Sequence, residues 1–148
     1  MQVVGGDSLY KYALPFRSNR LNSYFDLSSR SVVVGFHEPN TVIFQVRSAP
    51  ACVWLVRTGN ARLIFPSKGK VRSISRPTVL GELIGLSETI AQIAYGATLT
   101  ADPECTCVSI SRADLMEILL RDANLKEELL SKLSEGLNEA MMLGRKEM

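Results

Sequence analysis

Short runs of β-branched and aromatic residues begin at Val32 and recur as far as Ile110. Each run is bounded by residues that favour turns, and the runs predict seven strands: Val32–Phe36, Thr41–Val46, Cys52–Val56, Ala61–Phe65, Val71–Ser75, Ala97–Thr100 and Thr106–Ile110. Four connections carry tight-turn residues: Glu38-Pro39-Asn40, Thr58-Gly59-Asn60, Ser67-Lys68-Gly69 and Asp102-Pro103-Glu104. Strands at this spacing indicate a mainly β domain, either a sandwich, a barrel or a roll.

The two ends of the chain have a different pattern. Residues 1–30 carry few periodic apolar positions and predict a loose N-terminal arm with a short helix around Arg20 to Leu27. After Ile110 the apolar spacing becomes helical, and Ser111 with Asp114 three residues later forms an approximate capping box. This predicts a short helix that ends near Asp122, followed by a second helix from about Leu125 to the end of the chain.

The second helix carries two overlapping apolar stripes. One stripe consists of Leu130, Leu133, Leu137 and Met141, and the other of Leu125, Leu129 and Leu133. Together they are wider than a single packing seam. We therefore expect the helix to pack on its own domain with one side and on another helix with the other, although packing entirely on its own domain stays open.

Length and composition fit one globular domain. The chain has 148 residues, of which 46% are hydrophobic and 22% charged. Its apolar stretches are interrupted before they reach the roughly 18 residues that a membrane span needs, and residues 1–7 lack the pattern of a signal peptide. We expect a cytoplasmic protein that does not enter a membrane.

The net charge of +2 hides an uneven distribution. Residues 1–76 contain 11 Lys/Arg and 3 Asp/Glu, whereas residues 77–148 contain 6 and 12, so the two parts carry +8 and −6. The basic residues are dispersed among strands without aromatic interleaving, which argues against a nucleic-acid surface. They are interpreted as solvated strand faces, or else as a surface that attracts an anionic ligand or the acidic part of a second copy.

Few residues suggest catalysis or metal binding. Cys52, Cys105 and Cys107 are an odd number of cysteines and are interpreted as reduced thiols, and the single histidine, His37, is interpreted as a surface residue. A zinc site needs about four Cys or His ligands at workable spacing, whereas His37 lies far along the sequence from Cys105, and a single histidine excludes the metal site of a cupin enzyme. No set of nucleophile, base and orienting group can be assembled, so we expect a protein that is not an enzyme and holds no metal.

The most informative segment is Leu80-Gly81-Glu82-Leu83-Ile84-Gly85-Leu86-Ser87, followed by Tyr95-Gly96-Ala97-Thr98. Its frame includes Thr41–Gln45, Val53–Gly59 with Trp54 as a core aromatic residue, and Cys105–Ser111 leading into a helix. In order and spacing this frame resembles the cyclic nucleotide-binding domain family, in particular the sensor domains of catabolite-activator and Fnr-type transcription regulators. The resemblance covers roughly residues 32–143.

The resemblance implies a fold, a domain division and a site. The fold is an eight-stranded β-roll of the double-stranded β-helix or jelly-roll type with flanking helices. An arm at residues 1–30 precedes the roll at 31–122, and a dimerisation helix at 123–148 follows it. The implied ligand site, the phosphate-binding cassette, consists of Gly81, Glu82, Leu83, Tyr95, Gly96 and Ala97, with the Gly-Glu turn meeting the cyclic phosphate and the ribose.

Several positions depart from the family pattern. Where the family has the arginine that contacts the phosphate, this chain has Tyr95, and Gly96 stands where many members have a small hydroxyl residue. On the long helix, Ala140 and Met141 occupy the positions that reach the adenine in catabolite-activator proteins. Tyr95 is interpreted as an aromatic plug or as a new ligand donor. Because one hydroxyl cannot replace a bidentate guanidinium, we expect weak cyclic-nucleotide binding or none.

The resemblance implies the effector-sensing and dimerising domain of a Crp/Fnr-like transcription regulator, pairing as a homodimer through Leu130, Leu133, Leu137 and Met141. The effector would be a cyclic nucleotide or another small anion. No helix-turn-helix pattern follows the long helix, so DNA binding by this chain itself is not expected. The alternative is a ligand-independent interaction module that uses the roll as a scaffold.

Overall fold

A computed structural model describes residues 15–26, 32–67, 69–70 and 72–133. Within them the chain forms four helices and five strands. In chain order these are α1 (Asn19–Asp26), β1 (Val32–His37), β2 (Val42–Phe44), β3 (Cys52–Phe65), β4 (Ile74–Pro77), α2 (Leu86–Ala91), β5 (Thr98–Ser111), α3 (Arg112–Arg121) and α4, which is helical over residues 123–133.

The strands form one antiparallel sheet in the order β1-β5-β3-β4, and β2 also pairs with β5. Residues 52–56 of β3 pair with 107–111 of β5, and residues 61–64 pair with 98–101. Strand β1 pairs with the second half of β5, whereas β2 pairs with its first half. The predicted β-roll with flanking helices is therefore confirmed, although the described residues form five strands, two of them 14 residues long, and not the eight that the resemblance implied.

Two predicted reversals are bends inside long strands. Gly59 lies within the 14-residue β3, where the register shifts on both sides of it, and Asp102–Glu104 lie within β5. At Gly59 the backbone has φ +78°, and a Cβ placed there would lie 2.3 Å from the Glu104 carbonyl oxygen. The turn residues thus bend two paired strands together instead of ending them. The strand predicted at Val71–Ser75 is also displaced, to Ile74–Pro77.

The apolar side chains form two clusters. The larger joins the sheet to the helices and includes Phe25, Val53, Ile110, Leu115 and Leu129. The second fills the other end of the roll with small and medium side chains: Ala61, Leu63, Ile84, Ala97, Leu99, Ala101, Cys105 and Cys107. The three cysteines are free thiols, and the sulfur atoms of Cys105 and Cys107 lie 3.7 Å apart.

Residues 15–26 are packed against the domain, which corrects the expectation of a loose arm for this part of the chain. Ser18 caps α1 because its Oγ accepts a hydrogen bond from the Leu21 N–H at 3.1 Å. Leu21 and Phe25, four residues apart and hence on one helix face, are buried in the larger cluster. This pair of apolar positions is too short to give a strong periodic signal in the sequence.

The predicted capping of α3 is confirmed. The Ser111 Oγ accepts from the Asp114 N–H at 3.2 Å, and the helix ends at Arg121 with Asp122 as its C-cap. The Asp122 carboxylate then accepts from the Leu125 N–H at 3.1 Å at the start of α4. Asp122 therefore separates the two helices that the sequence predicts.

Candidate functional site

The segment between β4 and α2 holds the Gly-Glu turn. The Glu82 N–H donates to the Val79 carbonyl at 3.1 Å, which closes the turn. The Gly81 carbonyl accepts from the Asn22 side-chain amide of α1 at 3.2 Å, and the Leu83 N–H donates to the Phe16 carbonyl at 2.8 Å. The N-terminal segment therefore lies directly against the turn.

Glu82 is buried and bonded within the chain. Only 4% of its side chain is exposed, and both carboxylate oxygens contact the Arg76 guanidinium, at 3.0 and 2.6 Å. Oε1 also accepts from the Val79 N–H at 3.2 Å. Arg76 comes from β4, bonds the Pro77 carbonyl, and lies over the Phe65 ring, 5.9 Å from its centroid. A bidentate guanidinium forms hydrogen bonds with a carboxylate that are roughly twice as strong as those between neutral groups.

Tyr95 is buried where the resemblance places the missing arginine. Its ring stacks on Phe44 with centroids 3.9 Å apart and planes 17° apart. Its hydroxyl donates to the Cys52 carbonyl at 2.8 Å and lies within 3.4 Å of three donors, the amides of Ala51 and Cys52 and the Trp54 indole N–H. The hydroxyl therefore binds the start of β3.

Gly85 makes room for that ring. It has φ +78° and stands before the first residue of α2, and a Cβ placed on it would lie 2.7 Å from the Tyr95 Cε1 atom. Next to Gly85, Ile84 forms an antiparallel β-bridge with Trp54, in which each N–H donates to the other residue's carbonyl, at 2.9 and 2.8 Å. The close approach of backbone and ring fixes Tyr95 in position.

Glu88 closes the loop between α2 and β5. Its Oε2 atom accepts from the Gly96 N–H at 3.1 Å, and its Oε1 atom accepts from the Ser87 hydroxyl at 2.9 Å. Gly96 itself is exposed. A carboxylate of the chain thus occupies a backbone amide at the edge of the predicted ligand site.

The six predicted cassette residues lie in two segments, 81–83 and 95–97, which come together where Gly85 approaches the Tyr95 ring, and they have different surroundings. Leu83 and Ala97 are buried in the two apolar clusters, so they pack rather than present polar groups. Glu82 binds β4, whereas the Tyr95 hydroxyl binds β3. The arrangement offers no pairing of Glu82 with Tyr95 that would support acid-base chemistry.

Arg76 and Glu88 were not predicted as site residues. A signal for Arg76 existed, because it is the last basic residue before Glu82, and a carboxylate in an apolar frame needs a cation. No sequence signal pointed to Glu88, because its contact with the Gly96 N–H depends on how the loop between α2 and β5 folds back. His37, predicted as a surface residue, is partly buried with its ring edge toward Trp54.

The uneven charge of the sequence is partly balanced within the fold. Arg20 pairs with Asp122 at 2.9 Å, Arg62 with Asp102 at 3.1 Å, and Arg76 with Glu82 at 2.6 Å. Each pair joins a basic residue from the first part of the chain to an acid from the second. This supports a third interpretation of the uneven charge, in which the two parts neutralise each other within one chain.

The predicted dimerisation helix is described up to residue 133. Leu125, Leu129 and Leu133 are buried, whereas Leu130 is 45% exposed. Leu137, Ala140 and Met141 lie outside the described residues. Among the described helices, none is long and apolar enough to cross a membrane.

Comparison with solved structures gives the fold independent support. The catabolite activator protein of Thermus thermophilus matches with a TM-score of 0.66 at 16% identity, over 84% of this chain and 57% of that one. The c-di-GMP-responsive global regulator CLP of Xanthomonas campestris matches with a TM-score of 0.57 at 16% identity, over 82% and 60%. The regulatory domain of Toxoplasma gondii PKA with cAMP matches with a TM-score of 0.57 at 16% identity, over 71% and 39%.

This chain therefore spans between about two fifths and three fifths of these three structures. No curated relative matches it by sequence. The family model of the cyclic nucleotide-binding domain matches residues 35–122, more than half of the chain. That range contains the Gly-Glu turn, the Tyr95 position and the whole sheet from Gly35 onward. The chain belongs to the cyclic nucleotide-binding domain family.

Proposed function

We propose that this chain is the regulatory and dimerising domain of a Crp/Fnr-like transcription regulator, with a non-catalytic role in the cytoplasm. It would respond to a small effector at the cassette and pair with a second copy through its C-terminal helix. Family membership and the likeness in fold to two bacterial regulators support the proposal. We propose further that the domain binds cyclic nucleotides weakly or not at all.

The ion pair between Arg76 and Glu82 is the observation that supports weak or absent binding of cyclic nucleotides. In the family the cassette glutamate meets the ribose. Here both oxygens of that carboxylate bind the guanidinium, and only 4% of the side chain is exposed. A ribose hydroxyl would have to compete at a carboxylate whose oxygens already accept two guanidinium hydrogen bonds and the Val79 N–H, and a neutral donor is a weaker partner than a guanidinium.

Tyr95 adds a second obstacle, and its geometry favours the interpretation as a plug. The hydroxyl already donates to the Cys52 carbonyl and accepts from nearby N–H groups, while the ring stacks on Phe44. A phosphate bound here would have no arginine to contact, and the Tyr95 hydroxyl is already bonded to the start of β3. Loss of such a charged partner costs about 2–5 kcal/mol, or tens- to thousands-fold in affinity.

A thermal-melt titration tests the ligand. The protein would be titrated with cyclic AMP, cyclic GMP and c-di-GMP up to millimolar concentration, since a ligand at about 100 times its Kd adds about 2.7 kcal/mol of stability. We expect no saturable shift in the micromolar range. A micromolar Kd that Glu82→Gln abolishes would contradict the proposed weakness and would show that the cassette takes a cyclic nucleotide despite Arg76.

Sedimentation velocity tests the dimer. Leu130 is 45% exposed on α4, and Leu120, 81% exposed near the end of α3, provides a matched control on another helix. We expect Leu130→Glu to shift the protein toward monomer while Leu120→Glu leaves it dimeric. A wild-type protein that is monomeric at micromolar concentration, or equal effects of both variants, would contradict pairing through the C-terminal helix.

A ligand-independent interaction module is the second candidate. The polar groups of the cassette that the resemblance assigns to a ligand are bonded within the chain, as the contacts of Glu82 and Gly96 show. If this candidate is right, the dimer will form with the same affinity in the presence and absence of every effector. An effector that changes the dimer affinity would favour the sensing domain.

A further inference from the structure

Glu88 places a negative charge on the edge of the predicted ligand site. It is the third residue of α2, and its carboxylate links this helix to Gly96, near the end of the loop that leads to β5. Oε2 accepts from the Gly96 N–H at 3.1 Å, and Oε1 accepts from the Ser87 hydroxyl at 2.9 Å. A Cβ added at Gly96 would meet the same Oε2 atom at 3.6 Å, so the carboxylate lies against this residue.

An exposed backbone N–H beside a loop is a favourable partner for an anionic oxygen. Gly96 is exposed, so its amide would be open to an anion from solvent if the Glu88 side chain were elsewhere. Two anionic oxygens cannot share this donor without like-charge repulsion. The carboxylate therefore has two effects on an approaching phosphate: it occupies the donor and it repels the charge.

We propose that Glu88 is an intramolecular guard of the cassette that selects against ligands bearing a phosphate or another anionic group. The inference rests on the proposed function, because it takes the cassette to be the ligand site. It goes further by naming the residue that sets the charge of an acceptable ligand. Tyr95 offers a phosphate no attractive charge, whereas Glu88 adds a repulsive one.

The test compares Glu88→Gln with the wild type. The glutamine keeps an oxygen that can accept from the Gly96 N–H but removes the negative charge. Glu104→Gln is the matched control, because it makes the same charge change at an exposed residue of β5. Isothermal titration calorimetry would measure the binding of cyclic AMP and of inorganic phosphate to all three proteins at one ionic strength.

We expect Glu88→Gln to bind both probes about five- to tenfold more tightly than the wild type, because the variant no longer repels an anion and water screens that repulsion in part. Glu104→Gln should bind like the wild type. Equal binding by all three proteins would overturn the guard and leave the cassette as the ligand site. An equal gain in both variants would also overturn it, because only net charge would then matter.

If none of the three proteins binds either probe at millimolar concentration, the guard is overturned, because removing the Glu88 charge then restores no anion binding, whereas the proposed weak or absent cyclic-nucleotide binding stands. Hydrogen exchange of the Gly96 amide gives a readout that needs no ligand. We expect that amide to exchange faster in Glu88→Ala than in the wild type, with Glu88→Gln in between. An unchanged exchange rate in Glu88→Ala would refute the contact itself.

Discussion

The ion pair between Arg76 and Glu82 predicts a specific pattern of stability changes. Replacing Arg76 by methionine keeps much of the apolar stem against Phe65 but leaves the Glu82 carboxylate buried without its cation. Removing one partner of a fully buried pair costs about 3–5 kcal/mol. Because 20% of the Arg76 side chain is exposed, solvent lowers this cost, and we expect about 2–3 kcal/mol.

The double variant Arg76→Met with Glu82→Gln removes both charges and should regain part of this loss. We expect it to be about 1 kcal/mol more stable than Arg76→Met alone, because a neutral amide is easier to bury than a carboxylate. Arg62→Met is the control, since Arg62 also leaves the sheet to pair with an acid, Asp102, but both side chains are largely exposed, at 38% and 49%. Its loss should be below about 1 kcal/mol.

Urea unfolding followed by circular dichroism measures all four free energies of unfolding, with unchanged m-values as the check on two-state behaviour. In thermal melts the loss in Arg76→Met corresponds to about 4–12 °C for a domain of this size. Equal losses of stability in Arg76→Met and Arg62→Met, or a deeper loss when Glu82→Gln is added to Arg76→Met, would contradict this role of the ion pair. Either result would mean that solvent, and not Arg76, satisfies Glu82.

Three further predictions follow from the sheet and the helix ends. Gly59→Ala should lower the free energy of unfolding by about 2–5 kcal/mol, because its Cβ would meet the Glu104 carbonyl oxygen at 2.3 Å. Gly69→Ala, at φ +58° with nothing within 4 Å, should lower it by about 1–2 kcal/mol. Equal losses in urea melts would refute the clash at Gly59. Burial raises the pKa of Cys107 to about 12 and also raises the pKa of Cys105. Neither thiol should therefore react with iodoacetamide at pH 8 until the protein unfolds. Rapid labelling of either thiol in the native protein would contradict this burial. The pKa of Asp122 is lowered to about 2, below its usual 3.8, by hydrogen bonds from Arg20, the Leu125 N–H and the Tyr24 hydroxyl. The stability that this carboxylate contributes is therefore present above pH 4 and is lost as the pH falls toward 2. Asp122→Asn should flatten the dependence of stability on pH over that range, and an unchanged slope would refute this assignment.

The sequence predicted the features that depend on local pattern. Alternating β-branched runs located the strands, and Ser111 with Asp114 located the start of α3, because both signals are contained within a few neighbouring residues. The bends at Gly59 and Asp102–Glu104 were wrongly predicted as reversals, since a glycine or proline marks a change of direction without giving its angle. That angle is set by the partner strand, which lies about 45 residues away in the chain.

The contacts of α1 show what a local pattern cannot give. The Ser18 hydroxyl bonds the Glu128 carboxylate, and Arg20 and Tyr24 bond Asp122, across about 100 residues of sequence. The same helix donates from Asn22 to the Gly81 carbonyl of the cassette. No spacing rule connects these residues, because each partner is chosen by the packing of Leu21 and Phe25 into the core.

Glu82 shows how far the chemistry of a single residue could have been carried. This chain has Tyr95 where the resemblance places a phosphate-binding arginine, which raises the question of which group neutralises the buried Glu82 carboxylate. A buried carboxylate must be bonded, and the basic residue nearest before it in the sequence is Arg76, six positions earlier. Strand β4 and the following turn bring that guanidinium to both oxygens. A carboxylate that is buried in the fold needs a partner within the chain, and the basic residues nearest to it in sequence are the first candidates.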